Sequence, residues 1–382
     1  MISNRLSSIK PSATLAIDAK ANALIKAGRP ILKFGLGEPD FDTPEFIKEA
    51  AAQAIKDGKT KYTAVAGVPE LRAAIAGKFE RENKIICKPE EVMATTGAKQ
   101  ALYNIFMALL NPGDEVIVPS PYWVSYADMV QLAEGKVVTI DTTSTGFVPT
   151  PESIEGAITP RTKILVLNSP SNPTGAVIPR KILEKIAEIA VKHNIFVISD
   201  EVYEHFIYDG VEHCSIGSLP GMSARTFTVN AASKTYAMTG WRLGFVTGPK
   251  DIISAMTNIQ GHSTSNPSSV SQYAALAALT DPRGPASVEA MRNEYAKRRE
   301  VVYEGLRSMP GLELEKPMGA FYAFPKIKQD SFEFCEMLLE KANVAVVPGG
   351  AFGKEGNHYF RFSYASSMEA IQEGLLRIRG AL

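Results

Sequence analysis

Lys234 stands in the run NAASKTYAMTGWRLGF, flanked by small residues just past an apolar segment at 226–229. A lysine in a partly desolvated place has a lowered pKa and can condense with an aldehyde to form an imine. Taken alone, a solvated surface lysine is the commoner reading. Arg242 follows in the same run and could offer a planar fork of donors to a phosphate, or merely a salt bridge.

Other chemistry-bearing residues also follow apolar runs. Asp200 closes IFVISD, where a carboxylate is expensive to bury without a cationic partner such as a pyridinium nitrogen; a helix-capping aspartate is the alternative. Tyr203, three residues later, could hydrogen-bond an anionic ring oxygen. Asn172 lies in NSPSNPTG, a stretch stiffened by two X-Pro steps, and its amide can donate to a ring oxygen or a carboxylate. Gly97, Ala98 and Lys99 open an apolar helix, whose free N–H groups suit an anion. As a phosphate loop this is a weak motif, since GxxxxGK[ST] is absent. Trp123 in SPYWVSY could stack on a flat heterocycle or fill a core. Arg361 in HYFRFSYAS has no acid beside it in sequence, which suits a ligand carboxylate as well as a distant salt bridge.

These residues need elements to hold them. Apolar runs at 115–118, 163–167, 195–199, 226–229 and 243–247 read as buried strands. Periodic apolar stretches predict helices over 44–56, 69–82, 98–110 and 180–193, and longer ones over 286–308 and 368–381 packing outside the sheet. Strand and helix alternating at this spacing indicate an α/β fold with a mostly parallel sheet covered on both faces. Residues 312–364 read as shorter strands with one helix, an α+β region. Ligands in such sheets bind beyond the carboxyl ends of the strands, where the polar residues cluster.

Composition narrows the rest. With 382 residues the chain can build two or three domains, and 41 basic against 41 acidic side chains argue against a nucleic-acid partner. Three scattered cysteines and five histidines lack ligand spacing, so neither a disulfide framework nor a metal site is expected. No apolar run could span a bilayer and the first residues lack a signal-peptide pattern, so a soluble cytoplasmic protein is expected.

Together the stretches GLGEPDFDTP, KYT, TTGAKQAL, SPYWVSY, NSPSNPTG, SDEVYE, SKTYAMTGWRLGF and RFSYA resemble the class I aminotransferases of fold-type I, over nearly the full length. The resemblance is nearest to the bacterial gamma-subgroup aspartate aminotransferases, through IKPSAT, GKTKYT and SPYWVSY. It implies a large domain at 44–289 that binds pyridoxal 5′-phosphate and a small α+β domain from 1–43 with 290–382. It implies Lys234 as the Schiff-base lysine, Asp200 on the ring nitrogen, Tyr203 and Asn172 on the ring oxygen, and Trp123 stacked on the ring. Gly97, Ala98, Lys99 and Arg242 would hold the phosphate, with Ser233 and backbone groups taking over for a serine that Ala231 replaces, and Tyr62 reaching the phosphate of the neighbouring subunit in a homodimer. Many relatives have serine where this chain has Ala231. Arg361 and Gly37 would bind the substrate's α-carboxylate end. The segment at 261–266 has no arginine for a distal carboxylate, so Lys99 and Lys10 are expected to take that part. Aspartate and 2-oxoglutarate are the expected amino acid and 2-oxo acid. Aromatic or prephenate transamination, and a lyase on the same fold, are the alternatives.

Overall fold

A computed structural model describes Leu6, Ile9 and residues 13–382. Its centre is a seven-stranded sheet built from β1 (Val92–Thr95), β2 (Glu115–Ser120), β3 (Lys136–Asp141), β4 (Thr162–Asn168), β5 (Phe196–Asp200), β6 (Thr226–Ala231) and β7 (Gly244–Thr247). The spatial order is β1-β7-β6-β5-β4-β2-β3, and only β7 runs against its neighbours. The mostly parallel sheet expected from the alternation of runs is therefore present.

Alternation along these strands divides the core into two layers. Val116, Ile164, Val166 and Ile198 pack on one face with the helix Ala98–Leu109. Ile117, Leu165, Leu167 and Val197 pack on the other with the helix Arg180–Lys192. That second helix buries Leu183, Ile186, Ala187 and Ala190, the spacing of one helical face. Nearly every strand position is therefore apolar, because helices cover both faces.

A second body of structure is assembled from both ends of the chain. Leu32–Lys33 pairs in parallel with Val344–Ala345, and Phe360–Ser363 lies between Val347–Pro348 and Tyr322–Ala323 in a three-stranded antiparallel sheet. The helices Gly284–Arg307 and Met368–Ala381 were expected to lie outside the central sheet. They do so, placing Tyr295, Val302, Leu306, Ile371, Leu375 and Ile378 in one cluster with Phe321, Phe360 and Phe362. Their apolar stripes meet the short strands of 312–364, a destination that periodicity alone does not specify.

Other differences are local. The helix expected over 69–82 is α-helical only over Pro69–Lys78, then widens into a π-turn, Phe79–Asn83, that ends at left-handed Lys84. The helices Lys250–Ser263 and Ser269–Thr280 and the strand β3 were not foreseen. No described helix is long and apolar enough to cross a membrane.

Candidate active site

The carboxyl ends of β4, β5 and β6 lie side by side, with Asn168 paired to Asp200 and Asp200 to Val229. Parallel pairing thus brings together residues far apart in sequence. A cleft of about 310 Å³ opens over these ends, a size that suits a small organic ligand.

Lys234 stands on the one-turn helix Ala232–Thr235 directly after β6. Its ammonium donates to the Gly37 carbonyl oxygen at 2.5 Å, and burial pulls its pKa down to about 8. Asp200 is the last residue of β5 and begins no helix, so the capping alternative falls. Its carboxylate accepts from the Tyr126 hydroxyl at 2.6 Å and, at 3.4 Å, from the Val202 N–H. Burial pushes its pKa up to about 6, since no described side chain forms an ion pair with it.

The phosphate-binding expectation rests on a contact between two segments. Gly97 (φ +78°) precedes the helix Ala98–Leu109, and a Cβ there would lie 2.5 Å from the Arg242 Nη2. Arg242 is itself left-handed (φ +53°), a conformation that a non-glycine residue adopts at a cost. One of its nitrogens donates to the Thr239 carbonyl at 2.9 Å. Gly244 on β7 lies against the backbone of Gly97 and Ala98, where any side chain would collide, so the helix start is seated on the strand.

Arg361 is 3 % exposed on the strand Phe360–Ser363. It donates to the Asn172 Oδ1 at 2.7 Å and to the Gly35 carbonyl at 2.6 Å, while its Nε has no partner. No acid pairs with it among the described residues, which removes the salt-bridge alternative. Burial lowers its pKa from the ordinary arginine range.

Ala98, Lys99, Trp123, Ser233, Lys234 and Arg242 line the cleft, as do Gly37, Asn172, Asp200, Tyr203 and Arg361. Lys99 lies 4.9 Å from the centre of the Trp123 ring; burial, reinforced by Arg242, lowers its pKa. Gly97 lies just behind this lining, against Arg242. Ala231 and Ser233 both reach the cleft, so the departure from the common serine lies at its wall. Tyr62 is 90 % exposed and outside the cleft, and Lys10 falls outside the described residues.

Among the lining residues that the sequence did not single out, two are aromatic. Tyr126 lies one helical turn beyond Trp123 on Ser125–Leu132, so its spacing in SPYWVSY was an available signal. Tyr322 comes from the apolar stretch GAFYAF, which gives no sign that one of its aromatics lines a cleft.

A strand-end cleft in an α/β sheet, combining a buried lysine, an unpaired buried carboxylate and a glycine-led helix start beside Arg242, is the arrangement of fold-type I transferases. Comparison with known proteins gives the family. The model of the family "aminotransferase class I and II" matches residues 29–378, and the chain belongs to that family. It is 50 % identical to the aspartate/prephenate aminotransferase of Thermus thermophilus, an alignment covering 100 % of this chain and 98 % of that protein. It is 45 % identical to the aspartate aminotransferase of Geobacillus stearothermophilus, over 99 % of this chain and 98 % of that protein. Among solved structures, the Thermus thermophilus aspartate aminotransferase with maleate superposes at a TM-score of 0.97, with 49 % identity and 100 % of both chains covered. The aromatic aminotransferase of Pyrococcus horikoshii superposes at 0.90, with 46 % identity, 94 % of this chain and 98 % of that one covered.

Proposed function

We propose that the chain is a pyridoxal 5′-phosphate-dependent enzyme that moves the amino group of L-aspartate to 2-oxoglutarate in a ping-pong cycle. The observation that carries this reading is the buried, acid-free Arg361 facing the same cleft as the buried amine of Lys234. A guanidinium without an anion at such depth suits a ligand carboxylate.

The cleft suits the cofactor on its own chemistry. Asp200 is a buried carboxylate without an ion-pair partner, as a protonated ring nitrogen requires. Gly97, Ala98, Lys99, Ser233 and Arg242 form an electropositive helix start for a phosphate dianion. When bound, the cofactor supplies a conjugated ring that draws electrons from the substrate's α-carbon.

This chain's residues do the remaining work. Arg361 and Asn172 grip the α-carboxylate and so fix which α-carbon bond faces the ring. Lys234, with its pKa lowered to about 8, carries enough neutral amine near neutral pH to take and return the proton at the α-carbon. Trp123 and Tyr203 flank the ring, and Lys99 meets the distal carboxylate, with Lys10 as its expected companion. A lysine there is a point charge without a fork. That favours a second acceptor reading, prephenate, which the name of the Thermus relative also carries.

The assembly follows from the same reading. The chain divides into a large domain at 44–289 and a small one from 1–43 with 290–382, and it pairs as a homodimer. Tyr62, exposed on the single chain, would then reach the partner's phosphate. Three unpaired cysteines suit the reducing cytoplasm.

Single-turnover reactions with aspartate, glutamate, phenylalanine and alanine test the assignment. Aspartate and glutamate should react far faster than alanine. Aspartate no faster than alanine would sink the dicarboxylate reading. Prephenate as a productive acceptor would favour the second.

A further inference from the structure

Tyr322 sits between the two working ends of the cleft and belongs to neither set of residues foreseen from the sequence. Its hydroxyl lies 2.7 Å from that of Tyr203, and its ring centre lies 4.6 Å from the Arg361 guanidinium carbon. Phe352 closes on the same guanidinium at 5.0 Å. Gly37 must be glycine for this packing, because a Cβ there would strike the Tyr322 hydroxyl. All these groups but Phe352 line the cleft or border it directly.

Two physical problems meet at this ring. Arg361 is buried without an acid, and a counter-anion would occupy the donors that a substrate carboxylate needs. Aromatic faces attract a cation electrostatically while leaving its N–H groups free. The second problem concerns protons. A phenol has one proton to donate, and Tyr203 can aim its own into the cleft only if its contact with Tyr322 is one in which Tyr203 accepts. Accepting a hydrogen bond also makes a phenol a stronger donor.

We infer that Tyr322 is a positioning residue with two separable parts: its hydroxyl donates to Tyr203 so that Tyr203 donates into the cleft, and its ring holds Arg361 open for a carboxylate. The inference rests on the proposed cofactor and substrate. The charged and titratable groups facing this pair of phenols and Lys234 are Tyr126, Asp200, Arg361, Arg242 and Glu38. None is supplied by Tyr322, so its removal leaves their charges in place.

The test uses the cofactor-loaded protein and three variants, two at Tyr322 and one at Phe352. Tyr322→Phe keeps the ring and removes the hydroxyl; Tyr322→Leu removes both. Two readouts are followed: the pH midpoint of the bound cofactor's visible absorbance, and the dissociation constant of the unreactive dicarboxylate succinate. A phenol donating to the ring's oxygen anion favours the deprotonated Lys234–cofactor linkage, so weakening that donor raises the midpoint. Tyr322→Phe should raise it by about half a unit to one unit, the scale of one weakened hydrogen bond. Succinate affinity of that variant should stay within about two-fold, because the ring face remains. Tyr322→Leu should weaken succinate about ten-fold in addition, the upper range of a desolvated cation–aromatic contact. Phe352→Leu should weaken succinate while leaving the midpoint in place, a check in a variant that keeps every phenol. An unchanged midpoint in Tyr322→Phe overturns the phenol part, and unchanged succinate affinity in Tyr322→Leu and Phe352→Leu overturns the ring part. A wild-type protein that takes up no cofactor overturns the functional reading first, and this inference with it.

Discussion

Lys234 and Asp200 experience the same burial with opposite consequences. Desolvation disfavours the charged form of each, which lowers the lysine to about 8 and raises the aspartate to about 6. In the cofactor-free protein, capture of pyridoxal 5′-phosphate by Lys234 should therefore accelerate with pH through about 8. A rate still climbing steeply beyond pH 9 would contradict the buried position of the amine. The aspartate gives a stability prediction. Its native pKa lies above the ordinary 3.8, so the native state binds more protons between 3.8 and about 6. Stability contributed by this group then falls as pH rises through that window, by about 3 kcal/mol in all. Asp200→Asn removes the loss and keeps an acceptor for Tyr126. The cofactor-free variant should therefore gain on wild type in urea unfolding between pH 4 and 7. Its activity should fall at least about a hundred-fold, since the paired charge on the ring is gone.

At the scale of elements, the turn after β5 has two sides. Asp200 and Tyr203 face the cleft, while Glu201 and Glu204 face a buried polar network behind it. Lys78 pairs with Glu204, and Asn83 donates to Glu201 at 3.0 Å and also to Glu204. His213 meets Glu201 at 2.7 Å. Burial alone would raise the Glu204 carboxyl, but Lys78 and then His205 hold it well below its ordinary range. Those internal cations compensate the buried acids. The π-turn Phe79–Asn83 ends on Asn83, whose amide donates to Ser215 Oγ at 2.8 Å as well. Lys78→Met should cost about 3–5 kcal/mol in urea unfolding by stranding a buried carboxylate. Adding Glu204→Gln should recover part of it. Equal losses in the single and double variants would show that the pair is not coupled.

At the scale of the whole molecule, the proposed homodimer gives the exposed Tyr62 a role. Sedimentation of the loaded protein should give twice 41.4 kDa. Tyr62→Phe should lower cofactor affinity about ten-fold, the scale of one charge-assisted hydrogen bond. An enzyme fully active as a monomer would remove the reason for Tyr62 in the site. The cleft also draws on both bodies of structure. Gly37, Tyr322 and Arg361 come from segments near the two ends of the chain, and Lys234, Asp200 and Asn172 from the central sheet.

Much of this was legible from sequence because strand ends announce themselves. Lys234, Asp200, Asn172 and Arg242 each follow an apolar run in a distinctive local motif, and the parallel sheet follows from the alternation of runs with helices. Local pattern carries which residues are polar, where they fall in an element, and which face is buried. It does not carry long-range partners. That Tyr322 lines the cleft while Phe321 beside it fills the core, that the last helices pack on the short strands, and that Arg361 lacks an acid all depend on segments distant in sequence. Only the folded chain brings those segments within contact distance, so only tertiary structure decided which aromatic lines the cleft and which buried cation was left without an acid.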